Sequence, residues 1–127
     1  MKLRIKGSSL RLRLTQGEVR NLETAGEVAD QVQFGGGARL TYRLRTDTQS
    51  PEISATYRDN IIDIRVPREA ALSWSRTDEV TLSHAQGAGD AALRIVIEKD
   101  WNCLAPRSQE DESDNFPHPD TGTGKAC

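Results

Sequence analysis

Two cysteines in 127 residues, Cys103 and Cys127, are too few to build a disulfide framework. Aromatic residues make up 5% of the chain. A surface for nucleic acid normally sets stacking rings among its bases, and here only Tyr42 and Tyr57 accompany the basic strands, so nucleic acid is weakly signalled as a partner. No apolar run approaches the length of a membrane span, which excludes a spanning helix. Met1 leads directly into a Lys/Arg-alternating stretch rather than the apolar run of a signal peptide, so the expectation is a cytoplasmic protein without a membrane partner. Hydrophobic content of 35% is low for a helical bundle and suits sheets with one wet face.

The usual signatures of chemistry are also missing. Cys103, His118, Cys127 and His84 have the ligand types for zinc but none of its spacings. Gly35-Gly36-Gly37 joins two predicted strands with no helix after it, so it reads as a hairpin connection and not a phosphate loop. Glu110 and Asp111 are adjacent in an acidic run and do not form an acid and base pair. No catalytic residue, metal site or cofactor is assigned.

What is present is an echo. Residues 1–15 laid over 53–67, an offset of 52, match apolar to apolar: Met1 with Ile53, Leu3 with Ala55, Ile5 with Tyr57, Leu10 with Ile62, Leu12 with Ile64 and Leu14 with Val66. Gly7-Ser8 falls on Asp59-Asn60, both two-residue turn signals between alternating runs. Each half then reaches a helix start, Thr15 to Glu18 as a capping box and Pro67 at a first helical position. The helices are expected over about 16–25, with Val19 and Leu22 as apolar contacts, and about 68–75, with Ala71 and Trp74. Glu27-Val28 lies over Glu79-Val80, and after one inserted residue 40–44 lies over 93–97. At the same offset Asp30 and Val32 meet Leu82 and His84, which implies a third strand buried differently in the two halves.

The fold class expected is therefore mainly β (α+β): two quasi-repeated strand-strand-helix-strand-strand units, at about 1–45 and 53–98, forming antiparallel sheets or a barrel. One domain over 1–107 is expected, followed by an irregular acidic tail, 108–127, with Trp101, Leu104 and Phe116 as anchors.

Charge is segregated end to end. Residues 1–14 carry Lys2, Arg4, Lys6, Arg11 and Arg13 and no acid, while 110–120 carry Glu110, Asp111, Glu112, Asp114 and Asp120 and no base. If Gly7-Ser8 is the turn, the first hairpin pairs residues that sum to 15. Ile5 then faces Leu10 and Leu3 faces Leu12, while Arg4 stands opposite Arg11 and Lys2 opposite Arg13, a destabilising like-charge ladder. Either the four side chains splay into water or an anion lies against them: the acidic tail, a partner chain, or a ligand rich in phosphate or carboxylate. Arg43, Arg45, Arg58, Arg65 and Arg94 continue the alternation, and Asp63 and Glu98 interrupt it.

The opening from Met1 to Thr15, the stretch from Ile97 to Leu104 and the run from Glu110 to Pro117 resemble a family of short uncharacterised bacterial proteins, a likeness covering nearly the whole chain and implying no activity. Eight strands in two related units with cations on one face are also similar in architecture to the triphosphate-tunnel barrels. That resemblance implies a cation-lined channel for triphosphates. Its Glu-x-Glu-x-Lys first strand is replaced here by Lys2-Leu3-Arg4-Ile5-Lys6, so the metal site and hydrolysis are not implied.

The function expected is that of a small non-enzymatic binding or self-association protein, with a homo-oligomer as partner because edge strands and uncovered apolar area remain. The alternative is a polyanion-binding barrel with Lys2, Arg4, Arg11, Arg13, Arg43, Arg58, Arg65 and Arg94 turned inward on an anionic ligand.

Overall fold

A computed structural model describes residues 1–100. The alternating strip at the start folds as β1 (Lys2–Ile5) and β2 (Ser9–Leu14), paired in the register that sums to 15. Gly7 alone takes a positive φ, 54°, at this two-residue turn. In the matching turn both Asp59 and Asn60 do, at 53° and 61°, the arrangement that suits the twist of a tight hairpin.

Thr15 caps α1 (Gln16–Ala25) through its side chain on the Glu18 amide, and Glu18 returns a bond to the Thr15 amide, completing the expected box. Gly26 ends the helix at φ 78° and donates to Leu22 O. The chain continues through β3 (Glu27–Gly35), β4 (Ala38–Asp47), β5 (Ser54–Arg58), β6 (Ile61–Pro67), α2 (Arg68–Arg76), β7 (Thr81–Gln86) and β8 (Leu93–Lys99). Pro67 stands just before α2 as its cap and ends β6, rather than occupying the first helical position.

The two units interlock. One sheet has the order β1-β2-β8-β7 and the other β3-β4-β6-β5, so each unit gives its first hairpin to one sheet and its second hairpin to the other. The fold is mainly β, as expected. Its hairpins are antiparallel, but they are joined by parallel central pairs, β2 with β8 and β4 with β6. Both central strands in each sheet are flanked on two sides, which satisfies their ladders and leaves the shorter or more polar strands at the edges.

The echo survives at the level of register. Leu14 pairs with Lys99 as Val66 pairs with Thr46. In the third strand the offset becomes 54, because Val28 faces Leu44 while Leu82 faces Ile97. Leu82 is thus the counterpart of Val28, and His84 of Asp30. The mismatch seen in the sequence comes in part from a net two residues added between α2 and β7, and the third strands are also buried differently: Val28 is buried and Leu82 half-buried, while Asp30 and Val32 are exposed and His84 and Gln86 half-buried.

The inner faces carry Leu12, Leu14, Ile95 and Ile97 from one sheet and Leu44, Ile62, Ile64 and Val66 from the other, all buried. Val19, Leu22, Ala71 and Trp74 from the helices complete the core, as their spacing indicates. Trp74 is wholly buried, and its indole N–H donates to Val80 O at 2.9 Å. Since α1 and α2 each follow a first hairpin, they lie together at one end, while the four hairpin turns gather at the other.

Two seams between the sheets are tied by side chains. At one, the Met1 ammonium pairs with Glu18 and Asp30, and Tyr42 Oη donates to Met1 O at 3.0 Å. At the other, the Gln86 amide serves as a short piece of strand: it accepts from Ala55 N at 2.7 Å and donates to Ala55 O at 3.0 Å. The edge of β5 is covered there by one side chain.

Candidate anion-binding face

An apolar interior leaves no room for a cationic tunnel. Strand alternation puts every candidate cation on the opposite face from the buried leucines and isoleucines, so all of them point outward, not inward. The structure also separates them. Lys2, Arg4, Arg11, Arg13 and Arg94 share the outer face of the first sheet, whereas Arg43, Arg58 and Arg65 belong to the outer face of the second, on the far side of the sandwich.

On the first sheet the rows follow from register. Lys2, Arg13, Glu98 and Thr81 form one, and Arg4, Arg11, Val96 and Ser83 the next, with Arg94 beside Ser9 beyond them. The like-charge pairs of the hairpin are real. Glu98 stands beside Arg13 in the parallel pair and relieves part of the repulsion: Arg13 Nε reaches it at 2.5 Å and Arg11 Nη1 at 3.6 Å. Lys2 Nζ meets Asp100 at 3.0 Å where β8 ends. Among the described residues of this face, Glu98 lies within the group of Lys2, Arg4, Arg11, Arg13 and Arg94, and Asp100 stands at its corner.

The second sheet is arranged differently. Asp63, buried on β6, lies under three guanidiniums: Arg43 Nε is 3.1 Å from Oδ1, Arg45 Nη2 2.8 Å from Oδ2, and Arg65 Nε 3.5 Å from Oδ2. Glu27 adds a contact to Arg43 at 3.4 Å and Asp47 one to Arg65 at 3.6 Å. Three arginines meet three carboxylates, so this cluster is balanced. Burial pushes the Asp63 carboxyl up, but its hydrogen bonds and charge contacts with Arg43 and Arg45 outweigh that and hold it below the ordinary carboxylate range. The same bond from Arg43 raises that guanidinium further.

Arg45 and Asp63 are the partners that a list of candidate cations does not contain. In the sequence Asp63 reads only as an interruption of positive charge. Its role needs the β4 and β6 register, which sets Arg43 directly across from it.

His84, from the zinc alternative, pairs instead with Glu52 at 3.3 Å, beside a cavity of about 410 Å³ at the Gln86 seam. Among the described residues no group of three or more His, Cys, Asp or Glu is placed to hold a metal. Cys103, His118 and Cys127, the anchors Trp101, Leu104 and Phe116, and the tail itself lie outside the described residues.

No helix among the described residues is long and apolar enough to cross a membrane. Comparison with curated proteins and with solved structures finds no match to the chain. A family model described as a family of unknown function (DUF7009) matches residues 1–120, and the chain belongs to that family.

Proposed function

We propose that this is a non-enzymatic binding protein whose working surface is the outer face of the first sheet, with a phosphate-rich or carboxylate-rich polyanion as ligand. The observation that supports it is the row pattern: Lys2, Arg4, Arg11, Arg13 and Arg94 lie on three adjacent strands with Glu98 as the carboxylate among them. Neighbouring strands are about 4.8 Å apart and alternate residues about 6.6–6.8 Å, so the cations form a grid on the scale of charges along an extended polyanion. Arginine forks suit phosphate and carboxylate oxygens in two-point contacts.

Thermal unfolding with tripolyphosphate, and with sulfate at matched ionic strength, tests this. A ligand at about 100 times its Kd adds roughly 2.7 kcal/mol, a rise of several degrees. Arg4→Ala and Arg11→Ala should each weaken binding about fivefold, the equivalent of about 1 kcal/mol at an exposed contact. Unchanged affinity in both would sink the reading.

A second reading, self-association, is supported by the hairpin end. Ile5 (58% exposed), Val32 (41%), Phe34 (67%) and Tyr57 (67%) all sit near its turns, and β3 is an edge strand. A rim of this kind marks an interaction site. Sedimentation at micromolar concentration should show a dimer or larger species that Phe34→Asp weakens at least tenfold. A wild-type monomer throughout that range would end this reading.

A further inference from the structure

We infer that the hairpin end of the sandwich docks on a lipid surface bearing anionic headgroups, with Ile5, Phe34 and Tyr57 entering the interface and Lys6, Arg39 and Arg58 held among the headgroups. This goes beyond the polyanion face of the first sheet, and it gives the side chains of the self-association reading a different partner. Composition of the turns is the first argument. Three of the four hairpins carry the same combination, an exposed apolar side chain beside an exposed cation: Ile5 with Lys6, Phe34 with Arg39 and Tyr57 with Arg58. Two of these pairs are consecutive residues, and Arg39 stands across the ladder from Gln33, next to Phe34. The fourth turn, between β7 and β8, offers only alanines and Asp90. Apolar side chains flanked by basic ones suit the boundary between acyl chains and headgroups, where the cations keep their charged ends in water.

Shape is the second argument. Ile5 pairs with buried Leu10 and Tyr57 with buried Ile62, so the exposed side chains continue the inner apolar faces past the end of the core. The helices that close the sandwich lie at the other end and cover none of this surface. Thr41 pairs with Ile61, so residues 38–40 carry the β3 and β4 hairpin about 10 Å beyond the turn of its neighbour. Phe34 stands near the tip of that finger, ahead of Gly35, Gly36 and Gly37. Hydrocarbon would leave the peptide groups of such a tip unsatisfied, so entry stops at a depth of about 5–10 Å, where headgroups and water remain. Contact at that depth needs no spanning helix.

Charge is the third argument. At the hairpin turns Lys6, Arg39 and Arg58 outnumber Asp59 and Asp90. Around the helices and the joins that follow them, Glu18, Glu23, Glu27, Glu69, Asp78 and Glu79 outnumber Arg20, Arg68 and Arg76. An anionic surface therefore attracts the hairpin end and repels the helix end, which orients the molecule as it arrives. A second copy fits this end less well, because a two-fold contact between like ends sets Lys6, Arg39 and Arg58 near their own equivalents.

The test is co-sedimentation of the full chain with vesicles of phosphatidylcholine alone and with about 30% phosphatidylserine, at about 0.1 M salt. Partitioning onto the serine-lipid vesicles should fall about tenfold in Phe34→Ser and about fivefold in each of Lys6→Gln and Arg39→Gln, with Arg68→Gln at the helix end unchanged. The indole introduced by Phe34→Trp should add fluorescence that lipids brominated near the headgroup quench more than lipids brominated at the chain end. No partitioning onto the serine-lipid vesicles overturns the inference. So does partitioning that Phe34→Ser leaves intact while Arg4→Ala and Arg11→Ala remove it, which would assign the vesicle contact to the polyanion face. A dimer in lipid-free sedimentation that Phe34→Ser dissolves, with no vesicle binding, would give this end to a second copy and overturn the inference as well.

Discussion

Replacing Asp63 by Asn should destabilise the fold by about 2–3 kcal/mol at neutral pH while leaving its shape intact. The carboxylate accepts two well-placed charged bonds, from Arg43 at 3.1 Å and Arg45 at 2.8 Å, and a marginal one from Arg65 at 3.5 Å. Hydrogen bonds to charged groups contribute roughly 1.5–3 kcal/mol each. The guanidiniums keep 28–41% of their surface in water, so each good bond is discounted to about 1 kcal/mol, and Arg65 retains Asp47. Asn preserves the volume but leaves Arg43 and Arg45 facing each other across an uncharged amide, which adds repulsion. For a chain of this size about 2–3 kcal/mol lowers Tm by roughly 8–12 °C.

The pH dependence is the stricter test. Because the folded carboxyl is held below its ordinary value, its contribution is present above the unfolded pKa of about 3.9 and is lost as pH falls through the lower folded pKa. Circular dichroism melts should therefore show a wild-type advantage that is flat from pH 7 to about 5 and shrinks steadily below about 4. A loss under 0.5 kcal/mol at pH 7, or an advantage that persists unchanged to pH 2, would refute the argument that the charge of Asp63 organises this face.

Three further outcomes follow from single contacts. Gln86→Ala removes both bonds to Ala55 and should cost about 1–2 kcal/mol, with faster hydrogen exchange at the Ala55 amide read by NMR. Gly26→Ala forces a side chain onto φ 78° and sets its Cβ 3.2 Å from Thr46 Oγ1, so a loss of about 1–2 kcal/mol is expected in denaturant titration. Trp74→Ala empties the most buried large site and should cost about 3–5 kcal/mol by the same titration, more than either of the others.

Much of the local structure is legible in the sequence because it depends on near neighbours. The hairpin register, the capping box at Thr15 and the apolar helix contacts Val19, Leu22, Ala71 and Trp74 are all set by period and turn chemistry. The echo between the halves is legible too, since its counterpart pairs recur in the registers of β2 with β8 and β6 with β4. Its decay in the third strand has two sources, an insertion after α2 that shifts the alignment by two residues and a real difference in burial between β3 and β7. The candidate site was half legible. Arg4 and Arg11 were placed by the hairpin, but Asp63 and Glu98 looked like interruptions until their cross-strand neighbours were known.

The sequence by itself determined the alternation, the two units and the basic character of the outward positions, since each of these follows from a chemical pattern within a few residues. Tertiary structure alone decided that the units interlock through parallel pairs, that the cations lie outside an apolar interior, and that they divide between two faces. Those outcomes depend on pairing between strands such as β2 and β8, separated by more than seventy residues, for which many registers are compatible with the same alternation. Burial of Leu12, Leu44, Ile64 and Ile95 in one shared core selects among them, and that choice is what sets Asp63 under three arginines and leaves Glu98 among the cations of the first sheet.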